Sequence, residues 1–282
     1  MSRSFAERVI DAVSLTGPLC AGIDPSSQLL SKWGLDDSVS GLEEFVTICL
    51  DAFIGKVSAI KPQVAFFERF GSAGFAVLER LAATARSSQV LTIMDAKRSD
   101  IGSTSQAYAK AWLSDESPLA ADAVTLNPYL GLGTLFPFVE CARESSRGIF
   151  VVVASSNPEG RPIQLAVTET GISVEDSLLR GVALLNDDER AIGHSIGSTG
   201  VVIGATIPSL TFPLDQVNGI FLVPGFGTQG GTAKNISNLF DRCTPGSVLV
   251  NVSRSLLDFG PKATELTKAV SLIQNELISM PT

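Results

Sequence analysis

Asp95-Ala96-Lys97-Arg98-Ser99-Asp100 directly follows the apolar run Val90 to Met94. Strand side chains repeat every second residue, so an Asp-x-Lys at a strand end carries a carboxylate and an ammonium on one face. Asp100 falls where the chain should leave the strand and start a helix. Three ionisable groups at the exit of a buried strand are costly unless they neutralise one another or do chemistry. Asp24, in Gly-Ile-Asp-Pro, and Lys61, in Ile-Lys-Pro, stand at the ends of two further apolar runs. Together the five form an alternating cluster of carboxylates and ammonium groups. A lysine flanked by carboxylates keeps its proton at neutral pH, because opposite charge favours the charged form. That makes it a poor Schiff-base nucleophile and a good proton donor. A structural salt-bridge network would explain the segment alone as well, but not Asp24 and Lys61 at two other strand ends.

A second constellation is Val223-Pro224-Gly225-Phe226-Gly227-Thr228-Gln229-Gly230-Gly231. Four glycines let the backbone approach a ligand and turn several N–H groups toward an anion. Arg254 follows the next apolar run and can hold a phosphate through two parallel hydrogen bonds. The alternative is a tight turn, with Arg254 paired to a surface acid. Asn127-Pro128-Tyr129 and Ser155-Ser156-Asn157-Pro158 supply neutral donors and acceptors suited to a planar ring with amide-like edges. Asn-Pro is equally a turn element. His194 is the only histidine and lies away from any strand end, which removes His-based triads and disfavours a His-liganded metal.

The elements that must position these groups are eight apolar runs: Leu19–Ile23, Ser58–Ile60, Val90–Met94, Ala123–Leu126, Ile149–Val153, Val201–Ile203, Gly219–Val223 and Val248–Val250. Most are continuous and rich in β-branched residues, as parallel strands covered on both faces require. Helical patterns lie between most of them, at Gly41–Ile54, Gly71–Arg86, Ile101–Leu113, Gly133–Glu144 and Val174–Asn186, and Lys262–Ile278 follows the last. The sixth and seventh connections have room for only a turn or two. An amphipathic stretch from Ser2 to Leu15 precedes the first strand. This alternation predicts an α/β fold, a (β/α)₈ TIM barrel with an extra N-terminal helix, formed as one domain over residues 1–282. An open sheet with a second small domain is the alternative, but no linker or composition break marks a boundary. In a barrel, function collects at the C-terminal strand ends, and the loops after strands seven and eight form the usual phosphate site.

The chain has 282 residues and a formal net charge of −8, which argues against nonspecific binding to nucleic acid or anionic membranes. Any anionic ligand must be held by local cations or amides. Cys20, Cys49, Cys141 and Cys243 are widely spaced, which suggests neither a zinc site nor a disulfide framework. With no signal peptide and no apolar run long enough to span a bilayer, a reduced cytoplasmic location is expected.

With these residues assembled, the chain resembles the orotidine 5′-phosphate decarboxylase family, and its longer segments after strands one and five look like those of the larger bacterial branch. Asp95-x-Lys97-x-x-Asp100-Ile101-x-x-Thr104 matches the family signature. Pro224-Gly-Phe-Gly-Thr-Gln229-Gly-Gly looks like its phosphate loop, and Asp24, Lys61 and Arg254 match family positions. The resemblance implies decarboxylation of orotidine 5′-monophosphate to uridine 5′-monophosphate in de novo pyrimidine biosynthesis, with no metal or cofactor. It implies phosphate on Gln229, Arg254 and loop amides including Gly225, Gly227 and Gly230. It places the pyrimidine edge near Ser156 or Ser155, with Ser156 preferred, and the ribose near Asp24 and Lys61. Lys97 would protonate C6 beside Asp95, and Asp100 and Thr104 would cross a homodimer interface. The rivals are a magnesium-dependent sugar-phosphate relative, which needs an acidic ligand where Lys61 stands, and a nonenzymatic phosphate sensor, which has no need of Lys97.

Overall fold

In the computed structural model, which describes residues 3–278, the eight apolar runs form β1 (Leu19–Ile23), β2 (Ala59–Pro62), β3 (Leu91–Arg98), β4 (Ala123–Leu126), β5 (Gly148–Ala154), β6 (Thr199–Ile203), β7 (Phe221–Pro224) and β8 (Val248–Val252). Each pairs in parallel with its neighbours in sequence, and β8 pairs with β1 to close the barrel. The expected helices are present, among them Val39–Phe53, Gly71–Ser87, Gly102–Leu113, Phe136–Glu144, Val174–Ala191 and Ala263–Ile278. The seventh connection holds Ala233–Phe240, a helix of two turns. None of the helices in the described residues is long and apolar enough to cross a membrane.

Two strands run past their apolar patterns into charged residues. β3 continues through Asp95 and Lys97 to Arg98, and β2 takes in Lys61 and Pro62. A charged tetrapeptide reads as a strand end because isolated charges avoid burial. Here the charges pair with one another, and the ladder continues: Val64 N–H donates to the Asp95 carbonyl at 3.3 Å and Asn127 N–H to that of Arg98 at 3.1 Å.

Alternation along the strands grades the barrel interior from apolar to polar. Cys20, Ala59, Leu91, Ile93, Ala123, Phe150, Val202, Leu222 and Leu249 pack together in the lower barrel. The next inward positions upward are Lys61, Asp95, Thr125 and Asn251, each two residues further along its strand. The floor is closed by the N-terminal helix, observed as Phe5–Thr16; Ser2 of the expected span lies outside the described residues. Ser4 caps it, accepting from Glu7 N–H at 3.2 Å while its own N–H donates to Glu7 Oε2 at 2.8 Å. Phe5, Ala6 and Val9 are fully buried in the inner cluster, with Phe5 edge-on to Phe150 at 5.9 Å. Gly148 makes this approach possible, since a Cβ there would lie 2.1 Å from the Phe5 ring. His194 sits at this floor, its Nδ1 3.6 Å from Glu7 Oε1, and serves the helix rather than the strand tops.

Candidate active site

Asp95 is the centre of the strand-top cluster. One of its oxygens accepts from Lys61 Nζ at 2.7 Å; the other accepts from Lys97 Nζ and, at 2.9 Å, from the Thr125 hydroxyl. Lys61 is buried, 4 % exposed, whereas the Lys97 side chain is half exposed toward the cavity. Burial by itself would pull the Lys61 pKa down, but the charges of Asp95 and Asp24 outweigh it and hold the ammonium above the usual lysine range. Burial would likewise raise Asp95; Lys61 first and Lys97 next overcome it and hold the carboxyl well below the usual carboxylate range. Asp95 is therefore a fixed anion that orients two ammonium groups.

Lys97 has φ +46°, a left-handed conformation rare for a residue with a side chain. It coincides with a register shift between β3 and β4 from Met94 to Arg98. The Lys97 N–H is held there by Thr125 Oγ1 at 3.0 Å. Backbone strain of about 1–3 kcal/mol at such a site persists only where the surroundings over-determine it. Thr125, fully buried and bonded to both Asp95 and Lys97, supplies that constraint.

A cavity of about 190 Å³ opens over this cluster, bounded by Asp24, Lys61, Asp95 and Lys97 on one side and by Pro224, Gly225, Gln229 and Arg254 on the other. One Asp24 oxygen is buried there without a hydrogen-bond partner among the described residues, which leaves it free for a ligand hydroxyl. In the glycine loop, Gly225, Gly227 and Gly230 adopt φ of +102°, +77° and +89°. The loop is tied by Gly227 N–H to the Gly231 carbonyl at 2.9 Å and Gly231 N–H to the Gly225 carbonyl at 3.0 Å. The amides of Thr228 and Gln229 have no partner among the described residues. Arg254 is exposed and makes no ion pair among them, so it is not the partner of a surface acid. Free amides and a free guanidinium on one cavity wall can take a phosphate dianion. Larger hollows, about 440 Å³ beside Ala233–Phe240 and about 730 Å³ at the N-terminal ends of β1 and β8, lack this cluster. Chemistry, not size, locates the site.

The sequence pattern of the orotidine 5′-phosphate decarboxylase / HUMPS family matches residues 17–269. The chain is 46% identical over 283 residues to the orotidine 5′-phosphate decarboxylase of Corynebacterium efficiens, covering 100% of this chain and 99% of that one. The chain belongs to this family. The decarboxylase of Streptomyces coelicolor is 45% identical over 273 residues, covering 97% of this chain and 96% of that one. A crystal structure from Streptomyces avermitilis, described as a candidate orotidine 5′-phosphate decarboxylase, superposes with a TM-score of 0.93 at 45% identity, covering 99% of this chain and 96% of that one.

Around this decarboxylase-family cluster the other expected site residues divide. Neither Ser155 nor Ser156 lines the cavity, but Ser156 Oγ lies 3.1 Å from the lining residue Gln229, at Oε1, whereas Ser155 Oγ is engaged by Asn157 at 2.6 Å and Gln164 at 2.7 Å. Asn127 is exposed and does not line the cavity; its Oδ1 accepts from Tyr129 N–H at 3.1 Å in a local turn. Asp100 and Thr104 do not line their own chain's cavity either, and Asp100 Oδ1 accepts from Ile101 N–H at 2.8 Å. Four residues escaped the sequence-based expectation: Thr125, and Gln63, Asn251 and Ser253, which line the cavity. For Gln63 the signal was parity, since it lies two residues past Lys61, whereas Thr125 carried none. Cys20 is no nucleophile, because burial pushes its thiol up to about 12. All four cysteines are free.

Proposed function

We propose that this protein decarboxylates orotidine 5′-monophosphate to uridine 5′-monophosphate in pyrimidine biosynthesis, without metal or cofactor, with Lys97 as the proton donor. The observation that carries this is Asp95 held between Lys61 and Lys97 in the same cavity as the free amides and guanidinium of the β7 and β8 loops. The phosphate sits on Arg254, Gln229 and the loop amides, and the ribose hydroxyls meet Asp24 and Lys61. The pyrimidine edge meets Ser156, which the Gln229 bridge favours over Ser155. Scission of the bond from C6 to its carboxylate releases CO₂ and leaves an electron pair on C6. The Lys97 ammonium, oriented by Asp95, stabilises that charge and then donates its proton to C6; the amine regains a proton from water. Such a preorganised cation at the site of developing charge costs no reorganisation during the reaction. Remote phosphate contacts direct binding energy toward the transition state.

The magnesium-dependent alternative is disfavoured by the donor set. Lys61 occupies the end of β2, both Asp95 oxygens are engaged by ammonium groups, and the described residues contain no group of three or more His, Cys, Asp or Glu side chains arranged to hold a metal. The test is loss of orotidine 5′-monophosphate absorbance with chelator present. Full turnover is expected, falling about 10²–10³-fold in kcat/KM for Arg254→Ala, since a bidentate phosphate contact is lost. A folded wild-type protein that binds uridine 5′-monophosphate without turnover would instead be a sensor.

A homodimer is part of this proposal. Asp100 and Thr104 do not line their own cavity, and Ile101 next to Asp100, together with Tyr129, Leu130 and Phe136 in the following connection, is exposed. Mixing inactive Lys97→Ala and Asp100→Asn subunits is expected to restore about a quarter of wild-type activity, because about half the dimers are mixed and each then holds one intact site. No recovery would place Asp100 in its own subunit's site. A cytoplasmic location accords with four free cysteines.

A further inference from the structure

The segment after β5 contains a polar network that the chemistry above does not use. Gln164 ends a short helix, Arg161–Gln164, and grips Ser155 at two points. Its Oε1 accepts from Ser155 N–H at 3.3 Å, and its Nε2 donates to Ser155 Oγ at 2.7 Å. The same Oε1 accepts from Arg161 Nη1 at 3.0 Å. Arg161 in turn donates to both carboxylate oxygens of Glu175, at 2.7 and 3.4 Å. Glu175 is 4 % exposed and stands in the first turn of the helix Val174–Ala191. A buried carboxylate on a long packed helix therefore anchors an arginine, the arginine fixes a glutamine amide, and the amide fixes the backbone and hydroxyl of Ser155.

Ser156 comes next in the chain, and its hydroxyl reaches Gln229 at 3.1 Å. On its far side the chain has no slack: a Cβ at Gly204 would lie 3.0 Å from Ser156 N. Gly160 is similarly confined, because a Cβ there would lie 2.8 Å from Ser155 Oγ. The grip on Ser155 and the close approach of Gly204 restrict where Ser156 can stand. Side chains that are locked by supporting hydrogen bonds hold a reacting geometry that an unsupported loop does not.

The geometry points to Gln164 as a positioning residue: it acts through Ser155 to hold Ser156 against Gln229 and the pyrimidine ring, and gives the long β5 segment its function. This rests on Ser156 being the ring contact. Arg161 and Glu175 are the anchor, but removing Arg161 strands the buried Glu175 carboxylate and threatens the fold, so Gln164 is the residue to change.

The experiment is a double-mutant cycle in the full-length protein, with Gln164→Ala, Ser156→Ala and the double variant assayed for orotidine 5′-monophosphate turnover. Gln164→Ala is expected to lower kcat/KM by about ten- to hundredfold, as misplacement of a substrate-orienting group does. The double variant should be no worse than Ser156→Ala alone, because Gln164 has nothing left to position. Gln164→Glu keeps the acceptor for Ser155 N–H and Arg161 but loses the Nε2 donor, which the Ser155 hydroxyl cannot replace because its single proton already goes to Asn157 Oδ1, so it should recover part of the activity even if Gln164→Ala fails to fold. Multiplying losses in the double variant, or Gln164→Glu folded but as impaired as Gln164→Ala, would assign Gln164 a merely structural role. Full activity of Ser156→Ala would overturn the ring contact and this inference together. An impaired Ser156→Ala beside an unaffected Gln164→Ala would overturn the inference alone.

Discussion

Replacing Lys97 with alanine is expected to lower kcat for orotidine 5′-monophosphate decarboxylation by about 10⁵-fold while leaving the protein folded. Two losses multiply: a positioned general acid contributes about 10²–10⁴-fold and a preorganised charge at the developing anion about 10²–10³-fold. The fold survives because Asp95 keeps its buried partner Lys61, and the Lys97 side chain is half exposed. Solvent screening at the half-exposed Lys97 end keeps that ion pair's contribution modest, on the order of 1 kcal/mol. Lys97→Arg should not restore the activity, because a guanidinium holds its protons too tightly to donate and does not fit the same space. Single-turnover kinetics with a thermal melt on the same sample separate the chemistry from the fold. Retention of even about one per cent of wild-type kcat is incompatible with the combined loss and would remove Lys97 from the proton-transfer role.

Asp95→Asn is expected to damage both activity and stability. The amide cannot neutralise Lys61, which is buried with only Asp24 left to face it. Breaking a buried pair by removing one partner costs about 3–5 kcal/mol, and for a chain of this size each kcal/mol lowers Tm by about 2–4 °C. Lys97 loses its orienting anion at the same time, so kcat should fall about 10³-fold.

The pH dependence distinguishes this mechanism from simple loss of packing. In the wild type the Lys61 pKa is raised, so its contribution is complete below the ordinary lysine value of 10.5 and is lost only as pH rises through the higher folded value. The Asp95 pKa is depressed, so its contribution is complete above the ordinary carboxylate value of 3.8 and is lost as pH falls through the lower folded value. The pair therefore leaves stability flat across neutral pH. In Asp95→Asn, burial of Lys61 is no longer outweighed and its pKa drops. The folded state then gains relative to the unfolded one as pH rises, and the deficit in Tm against wild type should shrink toward alkaline pH. A deficit constant from acid to alkaline conditions would mean that the pair is not what stabilises the barrel mouth.

Much of this barrel was legible before any coordinates, because its signals are local. Continuous apolar runs with helical patterns between them specify parallel strands covered on both faces, and the order of eight follows from reading along the chain. Residue type and spacing alone also placed Asp24, Lys61, Asp95, Lys97 and Arg254 at strand ends, and four glycines beside Gln229 announced an anion loop. Thr125 was hidden, since a threonine inside an apolar run looks like any other β-branched strand residue. Only the pairing of β4 with β3 brings its hydroxyl to Asp95 and its acceptor oxygen to the Lys97 amide. The left-handed backbone at Lys97 was equally invisible, because it is imposed by a register shift between strands and not by the lysine itself. The bridge from the Ser156 hydroxyl to Gln229, 73 residues downstream, was likewise not visible along the chain. Periodicity and residue chemistry are written along the chain. Charge neutralisation, side-chain support and register are properties of groups distant in sequence, and they exist only once the barrel has closed.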